Sequence, residues 1–312
     1  MGLYLGIDTS NYTTSVAIYD SDSKTMISEK RLLPVKHGER GLMQSSALFE
    51  HTRQLPMCLE AAFSSFNDVN LNAVAVSDKP RNVSGSYMPV FLAGVSSATA
   101  AACSSSVTLY RTSHQVGHIL SALYSTEKLE FIHKPFIAFH VSGGTTEALL
   151  VTPHNEEIIS CEIVARSLDL KAGQAIDRAG VLMGLDFPCG AKMDELAQNG
   201  TSPLRVKPTI IGNDCSLSGL ENKFKNLIDK NESNENVSRF IFEYLAETIE
   251  KMSLNLREKY GNIPFVYAGG VMSNSIIKSK LESFGGLFCE PRFSSDNAAG
   301  VAIFAYLKDL GV

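Results

Sequence analysis

The chain has 312 residues, of which 44% are hydrophobic and 20% charged, and its formal net charge is −5 with a pI near 5.8. This composition is typical of a globular protein, and it excludes a disordered chain and a broad basic surface that would bind nucleic acid unaided. The length favours two medium domains or one large α/β unit.

The six cysteines lie far apart and form no CxxC pair, which predicts reduced thiols rather than a disulfide frame or a zinc knuckle. The first residues run directly into a strand pattern, and the longest apolar stretch is diluted by serines. We therefore expect no membrane span and a cytoplasmic location.

The first half of the chain begins with alternating apolar and polar residues around a polar centre, which predict a β-hairpin over residues 3–19. Apolar residues then recur at helical spacing from about residue 41 to residue 66. The next elements are a strand "NAVAVS", a small-residue helix "PVFLAGVSSATAAAC", a strand "SVTLYR" and a helix "SHQVGHILSALYS".

The second half repeats the opening pattern, with a predicted hairpin over residues 136–151. A mostly helical stretch follows over 169–251 and is interrupted by "SPLRVKPTIIGNDCSLSG". The stretch "PFVYAGGVMSNSIIKSKLESF" predicts strand, glycine turn and helix, and "LFCEPRFSSDNAAGVAIFAYL" predicts strand, polar loop and helix. Two similar hairpins half a chain apart suggest a duplicated lobe that closes around a nucleotide.

The turns of these hairpins carry the residue types that suit a phosphate site. In "VSGGTTE", Ser142, Gly143 and Gly144 can present a hydroxyl and backbone N–H groups to phosphate oxygens. In "DTSNYTTS", Asp8 is available to hold a metal or a water, and Asp8 and Ser10 are our candidate catalytic residues. A single turn of this type is more often only a turn.

A histidine pair stands in the predicted helix "SHQVGHILSALYS". His114 and His118 are four residues apart, so in a helix both imidazoles lie on one face and can bind one cation. The same spacing also fits a polar helix edge or a capping residue, and the pattern alone does not decide between them.

Seven motifs in this order resemble the threonylcarbamoyladenosine synthase family (the TsaD/Gcp group, once labelled glycoproteases). They are "GIDTSNYTTSVAIYD", "HQVGH", "VSGGTTEALLV", "DRAGVLMGLDFPCGAKMDELA", "CSLSGLENKF", "AGGVMSN" and "SSDNAAGVA". The resemblance implies an α/β, two-lobed actin-like ATPase fold (ASKHA, a duplicated RNase H-like unit) with the nucleotide site between the lobes. The implied N-terminal lobe is 1–130 plus 300–312, and the implied C-terminal lobe is 131–299.

Carried over position by position, the resemblance implies a divalent metal, iron or zinc, on His114, His118 and Asp296. It also implies ATP or an adenylate as the bound nucleotide. The implied nucleotide contacts are Ser142, Gly143, Gly144, Asp177, Gly190, Asp194 and Asn274. For Asp194 and Asn274 the residue types equally fit an exposed helix face and a helix N-terminal turn.

The implied reaction is the transfer of a threonylcarbamoyl group from its adenylate to an adenine of tRNA. The acidic net charge indicates that tRNA would be bound through a complex with partner proteins of the threonylcarbamoyladenosine pathway.

The chain departs from the family pattern at several places, and two of them bear on the site. Asn11, Tyr12 and Thr13 stand where the family has a Cys-Asp-acidic run, and Lys79 and Arg81 stand where it has a glycine-rich loop. These differences suggest a divergent paralogue. They leave open a nucleotide-binding complex partner with altered catalysis, and a carbamoyltransferase or kinase for a small anionic molecule.

Overall fold

The structure is a computed structural model, and it describes residues 2–10, 12–34, 42–66, 69–294 and 298–312. The strands in this part of the chain are β1 (Leu3–Asp8), β2 (Thr13–Asp20), β3 (Thr25–Leu32), β4 (Leu71–Lys79), β5 (Thr108–Ser113), β6 (Phe136–Val141), β7 (Thr146–His154), β8 (Ile158–Arg166), β9 (Thr209–Ile211), β10 (Asp214–Ser216), β11 (Phe265–Ala268) and β12 (Leu287–Phe288). The α-helices are α1 (Gln44–Phe63), α2 (Phe91–Ser105), α3 (His114–Ser125), α4 (Ala172–Leu182), α5 (Gly190–Ala197), α6 (Ser218–Asp229), α7 (Asn234–Tyr260), α8 (Ser275–Glu282), α9 (Pro291–Ser294) and α10 (Ala298–Asp309).

The chain divides into two compact units. Unit 1 consists of Met1–Lys134, Thr152–Cys161 and Arg292–Val312, and unit 2 of Pro135–Val151 and Glu162–Pro291. No helix in the described part of the chain is long and apolar enough to cross a membrane.

Unit 1 is built on a five-stranded sheet in the order β3-β2-β1-β4-β5. The pairs β1–β2 and β2–β3 are antiparallel, and β4 is parallel to both β1 and β5. All six residues of β1 are buried, because helices cover both faces of the strand. Leu3, Leu5 and Ile7 pack with α1 and α2, while a Cβ on Gly6 would overlap the backbone of α10.

Unit 2 is built on a second five-stranded sheet in the order β12-β11-β6-β7-β8. The pair β6–β7 is antiparallel, and β11 is parallel to both β6 and β12. In each sheet a strand therefore forms a hairpin on one side and a parallel pair on the other. This repeated order confirms the predicted α/β fold with a duplicated hairpin unit.

The structure adds strands that the sequence pattern did not predict. Each predicted hairpin is continued by a third strand, β3 in the first sheet and β8 in the second. The segment that interrupts the helical region contains the antiparallel pair β9–β10, which turns at Gly212 with a φ of +63°. The predicted helices around the histidine pair and after the glycine turn are confirmed as α3 and α8.

Candidate functional site

The chemically reactive side chains of unit 1 meet where three neighbouring strands end. Asp8 is the last residue of β1, Ser77 lies near the end of β4, and His114 follows β5 as the first residue of α3. Because β1, β4 and β5 run parallel, their carboxyl ends lie at the same edge of the sheet. Residues 106 positions apart in the chain thereby come into contact.

The Asp8 carboxylate is fully buried and is surrounded by donors. Its Oδ1 accepts hydrogen bonds from the backbone N–H of Ser10 at 2.8 Å and from Ser10 Oγ at 2.5 Å. Its Oδ2 accepts a hydrogen bond from Ser77 Oγ at 2.7 Å and lies 2.9 Å from His114 Nδ1. Both carboxylate oxygens are therefore held in place.

Burial alone would raise the pKa of Asp8. The charge of His114 and the hydrogen bonds from His114, Ser10 and Ser77 outweigh the burial and lower this pKa to about 2. Asp8 is therefore ionised at neutral pH and acts only as a hydrogen-bond acceptor.

An acceptor at this position determines the tautomer of His114. The Ser10 hydroxyl donates to Asp8, so Ser10 Oγ can accept from His114 Nδ1, which lies 2.6 Å away. The proton of a neutral His114 ring then sits on Nδ1, and the lone pair on Nε2 remains available. A carboxylate that holds one ring nitrogen is the usual support of a metal-binding histidine.

His118 lies beside His114 on α3. The two ring centroids are 4.5 Å apart with an interplanar angle of 71°. Helix α3 begins at His114 because Ser113 is its N-cap: the Ser113 side chain accepts a hydrogen bond from the Val116 N–H at 3.2 Å. The predicted placement of both imidazoles on one helical face is therefore what the structure shows.

Gly117, between the two histidines, lies at a close helix crossing. A Cβ on Gly300 of α10 would overlap the carbonyl oxygen of Gly117 and approach the N–H of Ser121 at 2.6 Å. This close approach fixes α3, and with it the histidine pair, against α10.

The donor set fits a divalent metal in part. His114 Nε2 and the His118 ring can supply two neutral nitrogen ligands, and Asp8 orients the first of them. The third implied ligand, Asp296, lies outside the described residues, as does Asn11. Within the described residues there is no group of three or more His, Cys, Asp or Glu side chains that could hold a metal.

The implied phosphate turn of unit 2 joins β6 and β7. The Ser142 N–H donates to the Thr145 carbonyl at 2.7 Å, and the Thr145 N–H donates to Ser142 Oγ at 3.2 Å. A Cβ on Gly143 or Gly144 would meet nothing within 4 Å, so this turn has open space around it.

Two other segments lie directly against the turn between β6 and β7. The Gly173 N–H, in the first turn of α4, donates to the Ser142 carbonyl at 3.2 Å, and a Cβ there would approach Gly143 Cα at 2.6 Å. Gly269, after β11, has a φ of +100°, and a Cβ there would overlap the Val141 carbonyl. The turn between β6 and β7 is therefore in close contact with both the start of α4 and the end of β11.

The implied nucleotide carboxylates join neighbouring helices in this structure. Asp177 Oδ1 on α4 accepts from the Cys189 N–H at 2.9 Å, next to Gly190 at the start of α5. Burial raises the pKa of Asp177, and this hydrogen bond partly offsets the rise. Asp194 on α5 accepts from Ser275 Oγ at 2.9 Å, at the start of α8.

Asn274 caps α8 and retains an unused donor. Its Oδ1 accepts from the N–H groups of Ile276 at 3.1 Å and Ile277 at 3.0 Å. The side chain is buried at 6% exposure, and its Nδ2 has no hydrogen-bond partner among the described residues. A buried donor without a partner is costly unless a ligand accepts from it.

Sequence reasoning missed one member of the unit 1 cluster. Ser77 was predicted only as the end of a buried strand, yet its hydroxyl holds Asp8. In the sequence, Ser77 is only a serine at the end of an apolar strand, and this pattern does not show which residue its hydroxyl contacts.

The two five-stranded sheets with repeated hairpins define the actin-like ATPase fold, and solved structures agree. The (R)-2-hydroxyglutaryl-CoA dehydratase component A of Acidaminococcus fermentans is 17% identical, with a TM-score of 0.58 over 99% of this chain and 100% of that chain. T. kodakarensis HypF is 14% identical, with a TM-score of 0.62 over 100% of this chain and 49% of that chain. A ROK family glucokinase from Streptomyces griseus, in complex with glucose and AMPPNP, is 11% identical, with a TM-score of 0.52 over 98% of this chain and 99% of that chain.

The sequence comparison narrows this class to one family. The sequence profile of TsaD, tRNA N6-adenosine threonylcarbamoyltransferase, matches residues 28–303. The chain belongs to this family.

Proposed function

We propose that the protein binds an adenine nucleotide on unit 2 and a divalent metal on unit 1, and transfers a threonylcarbamoyl group to an adenine of tRNA. The observation that carries the proposal is family membership over residues 28–303, which include the histidine pair and every proposed nucleotide contact. Asp8 and Ser10 precede the matched range, and the proposal includes them because both contact His114.

His114, His118 and Asp296 are the proposed metal ligands. A divalent metal there would act as a Lewis acid on carbamoyl or phosphate oxygens. Asp8 and Ser10 would hold the Nδ1 proton of His114, keeping Nε2 directed to the metal. Asp8 and Ser10 thus act through His114 in this proposal.

Asn274 Nδ2 and the N–H groups of the Gly143–Gly144 turn are the proposed donors to ATP or an adenylate. Asn274 Nδ2 is a buried donor without a partner among the described residues, and the space around Gly143 and Gly144 is open. Support for nucleotide binding comes from the fold: the glucokinase in complex with AMPPNP and an activator of 2-hydroxyisocaproyl-CoA dehydratase with bound ADPNP share it. Asp177 and Asp194 would then contact ribose hydroxyls while keeping their hydrogen bonds to Cys189 and Ser275, at the starts of α5 and α8.

tRNA and partner proteins of the same pathway are the proposed macromolecular partners, with the cytoplasm as the location. Phosphate contacts come from Lys and Arg, and the net charge of −5 leaves this chain without a broad basic surface. A partner would supply part of the tRNA contact.

A nucleotide-binding paralogue with altered catalysis is the second candidate. Tyr12 and Thr13 replace the acidic residues expected beside the reacting carbamate, and the Tyr12 side chain is 37% exposed at that position. Without those carboxylates, groups that would orient or deprotonate the substrates are missing.

A tRNA modification assay separates the two candidates. We would supply tRNA, the threonylcarbamoyl adenylate and the pathway's partner proteins, and compare wild type with Asn274→Ala and with the surface control Lys192→Ala. Threonylcarbamoyladenosine formed by wild type and by the control, but reduced by Asn274→Ala, supports the transferase. No product from a wild type that still binds ATP would reject the transferase and leave the paralogue.

A further inference from the structure

A cleft in unit 1 has none of the Asp8 cluster residues in its lining. It has a volume of about 350 Å³ and is lined by Lys79, Asn82, Val83, His154, Glu156, Glu157, Ile159 and Ser160. This volume is at the small end of the range for ligand pockets, so it suits a small molecule.

The cleft contains both positively and negatively charged groups. Lys79 and His154 each have an N–H donor that can bind a ligand. The nearest carboxylate to the Lys79 ammonium is Asp78, at 3.9 Å, and Asp78 is shared with Arg111 at 3.7 Å. His154 Nδ1 accepts from the N–H groups of Glu156 and Glu157, so the proton of a neutral ring sits on Nε2. Both Lys79 and His154 can therefore donate to an anionic group.

The negative side of the cleft contains an acceptor without a partner. Glu157 Oε2 is buried from solvent and has no hydrogen-bond partner among the described residues. A buried carboxylate oxygen is costly in this state, and a cationic donor would satisfy it.

The backbone beside Glu157 is strained. Ile158 has a φ of +66°, which is unfavourable for a β-branched side chain. Strain of this kind persists where the surrounding structure over-determines the conformation, and it is concentrated at ligand sites. Here it holds Glu157 and Ile159, on either side of Ile158, along the wall of the cleft.

We propose that this cleft binds a small aliphatic α-amino acid, whose carboxylate accepts from Lys79 Nζ and whose ammonium donates to Glu157 Oε2. Val83 and Ile159 supply apolar wall for a short side chain. Only a ligand with both charges can donate to Glu157 Oε2, which has no partner among the described residues, and also accept from Lys79 Nζ, whose ion pair with Asp78 is long at 3.9 Å. The inference does not rest on the transferase reaction, because its readout is binding alone.

L-alanine is the test probe, and NMR titration of its methyl group against the full chain is the measurement. Propionate lacks the ammonium and ethylamine lacks the carboxylate, so each removes one proposed contact. A charge-assisted hydrogen bond is worth roughly 1.5–3 kcal/mol, so each analogue should bind at least about tenfold more weakly than L-alanine.

Lys79→Met and Glu157→Gln are the test variants, and each should weaken L-alanine binding by about tenfold or more. Lys192→Met and Glu195→Gln, an exposed ion pair in unit 2, are the matched controls and should leave binding unchanged. Thermal unfolding checks the fold, because neither test side chain makes a side-chain hydrogen bond within the described residues. Propionate binding as tightly as L-alanine, undisturbed by Glu157→Gln, would overturn the proposal, as would no saturable L-alanine binding to wild type.

Discussion

Replacing Asp8 by Asn keeps the shape of the side chain and removes its charge. Both oxygens of Asp8 accept hydrogen bonds, and its surroundings consist of donors from Ser10, Ser77 and His114. An amide offers one acceptor oxygen and turns an NH₂ donor toward donors on the other side. We therefore predict that Asp8→Asn destabilises unit 1.

The size of the effect follows from the contacts that are lost. Hydrogen bonds to a charged group are worth roughly 1.5–3 kcal/mol each, and the amide keeps those on only one side of the group. Breaking a buried ion pair by removing one partner costs about 3–5 kcal/mol. Because the His114 side chain is 20% exposed and can be hydrated, we expect the lower end, about 3 kcal/mol.

Amide hydrogen exchange is the appropriate assay, since a chain with two compact units need not unfold in one step. Protection should fall in β1 and β4 of Asp8→Asn and stay at the wild-type level in β6 and β11. Ser77→Ala, which removes a single donor, should cost about half as much. Protection of β1 in Asp8→Asn that stays within about 0.5 kcal/mol of wild type would show that the buried charge does not stabilise unit 1.

Three further predictions concern packing, acid stability and thiol reactivity. Gly300→Ala should destabilise unit 1 by about 3 kcal/mol in thermal unfolding, because its Cβ would overlap Gly117. Burial raises the pKa of Asp169, but hydrogen bonds from Ser216, from Leu217 and from the residue after it lower this pKa below the usual range. The exposed Asp169 should therefore contribute about 1 kcal/mol above pH 4 and less as the pH falls below 4, measured by urea unfolding of wild type and Asp169→Asn. Burial raises the pKa of Cys215 to about 11, so iodoacetamide at pH 8 should leave it unlabelled by mass spectrometry.

The packing and thiol predictions each have a matched control, and the acid-stability prediction is decided by its sign. Gly219→Ala should not lower the unfolding temperature, since its Cβ would meet nothing within 4 Å, and an equal loss in both variants would contradict the packing argument. A wild-type excess in stability over Asp169→Asn that grows below pH 4 would contradict the sign of the pKa shift. The exposed Cys103 should react with iodoacetamide, and labelling of Cys215 at the same rate would contradict its burial.

The strands of the two hairpins were predictable from sequence, but the third strands that continue them, β3 and β8, were not. Strands β1 and β2 carry apolar residues on the faces that pack in the core, so their alternation identified the hairpin. Strand β3, "TMISEKRL", has no fully buried residue, and β8 contains four exposed residues. With so many exposed positions, neither strand shows the regular alternation of apolar residues by which a half-buried strand is recognised.

Some contacts of the candidate site could be predicted from the sequence and others could not. Two histidines four residues apart lie on one helical face because of helix geometry alone, so their proximity was predictable. The contact of Asp8 with His114 depends on which strand ends meet at one edge of the sheet, and no local pattern encodes that order. For Asn274 the sequence predicted either a helix N-terminal turn or a nucleotide contact; the structure shows the helix cap, together with an Nδ2 that has no partner among the described residues.

In the proposed metal site, Asp8 orients His114 so that the histidine pair binds a divalent metal. The direct measurement is the zinc and iron affinity of wild type, Asp8→Asn and His114→Ala, with His133→Ala as an exposed-histidine control. Wild type and the control should bind about one metal per chain, His114→Ala should lose it, and Asp8→Asn should bind it about 10–100-fold more weakly. Equal affinity in all four proteins, or no metal bound by wild type, would contradict the claim.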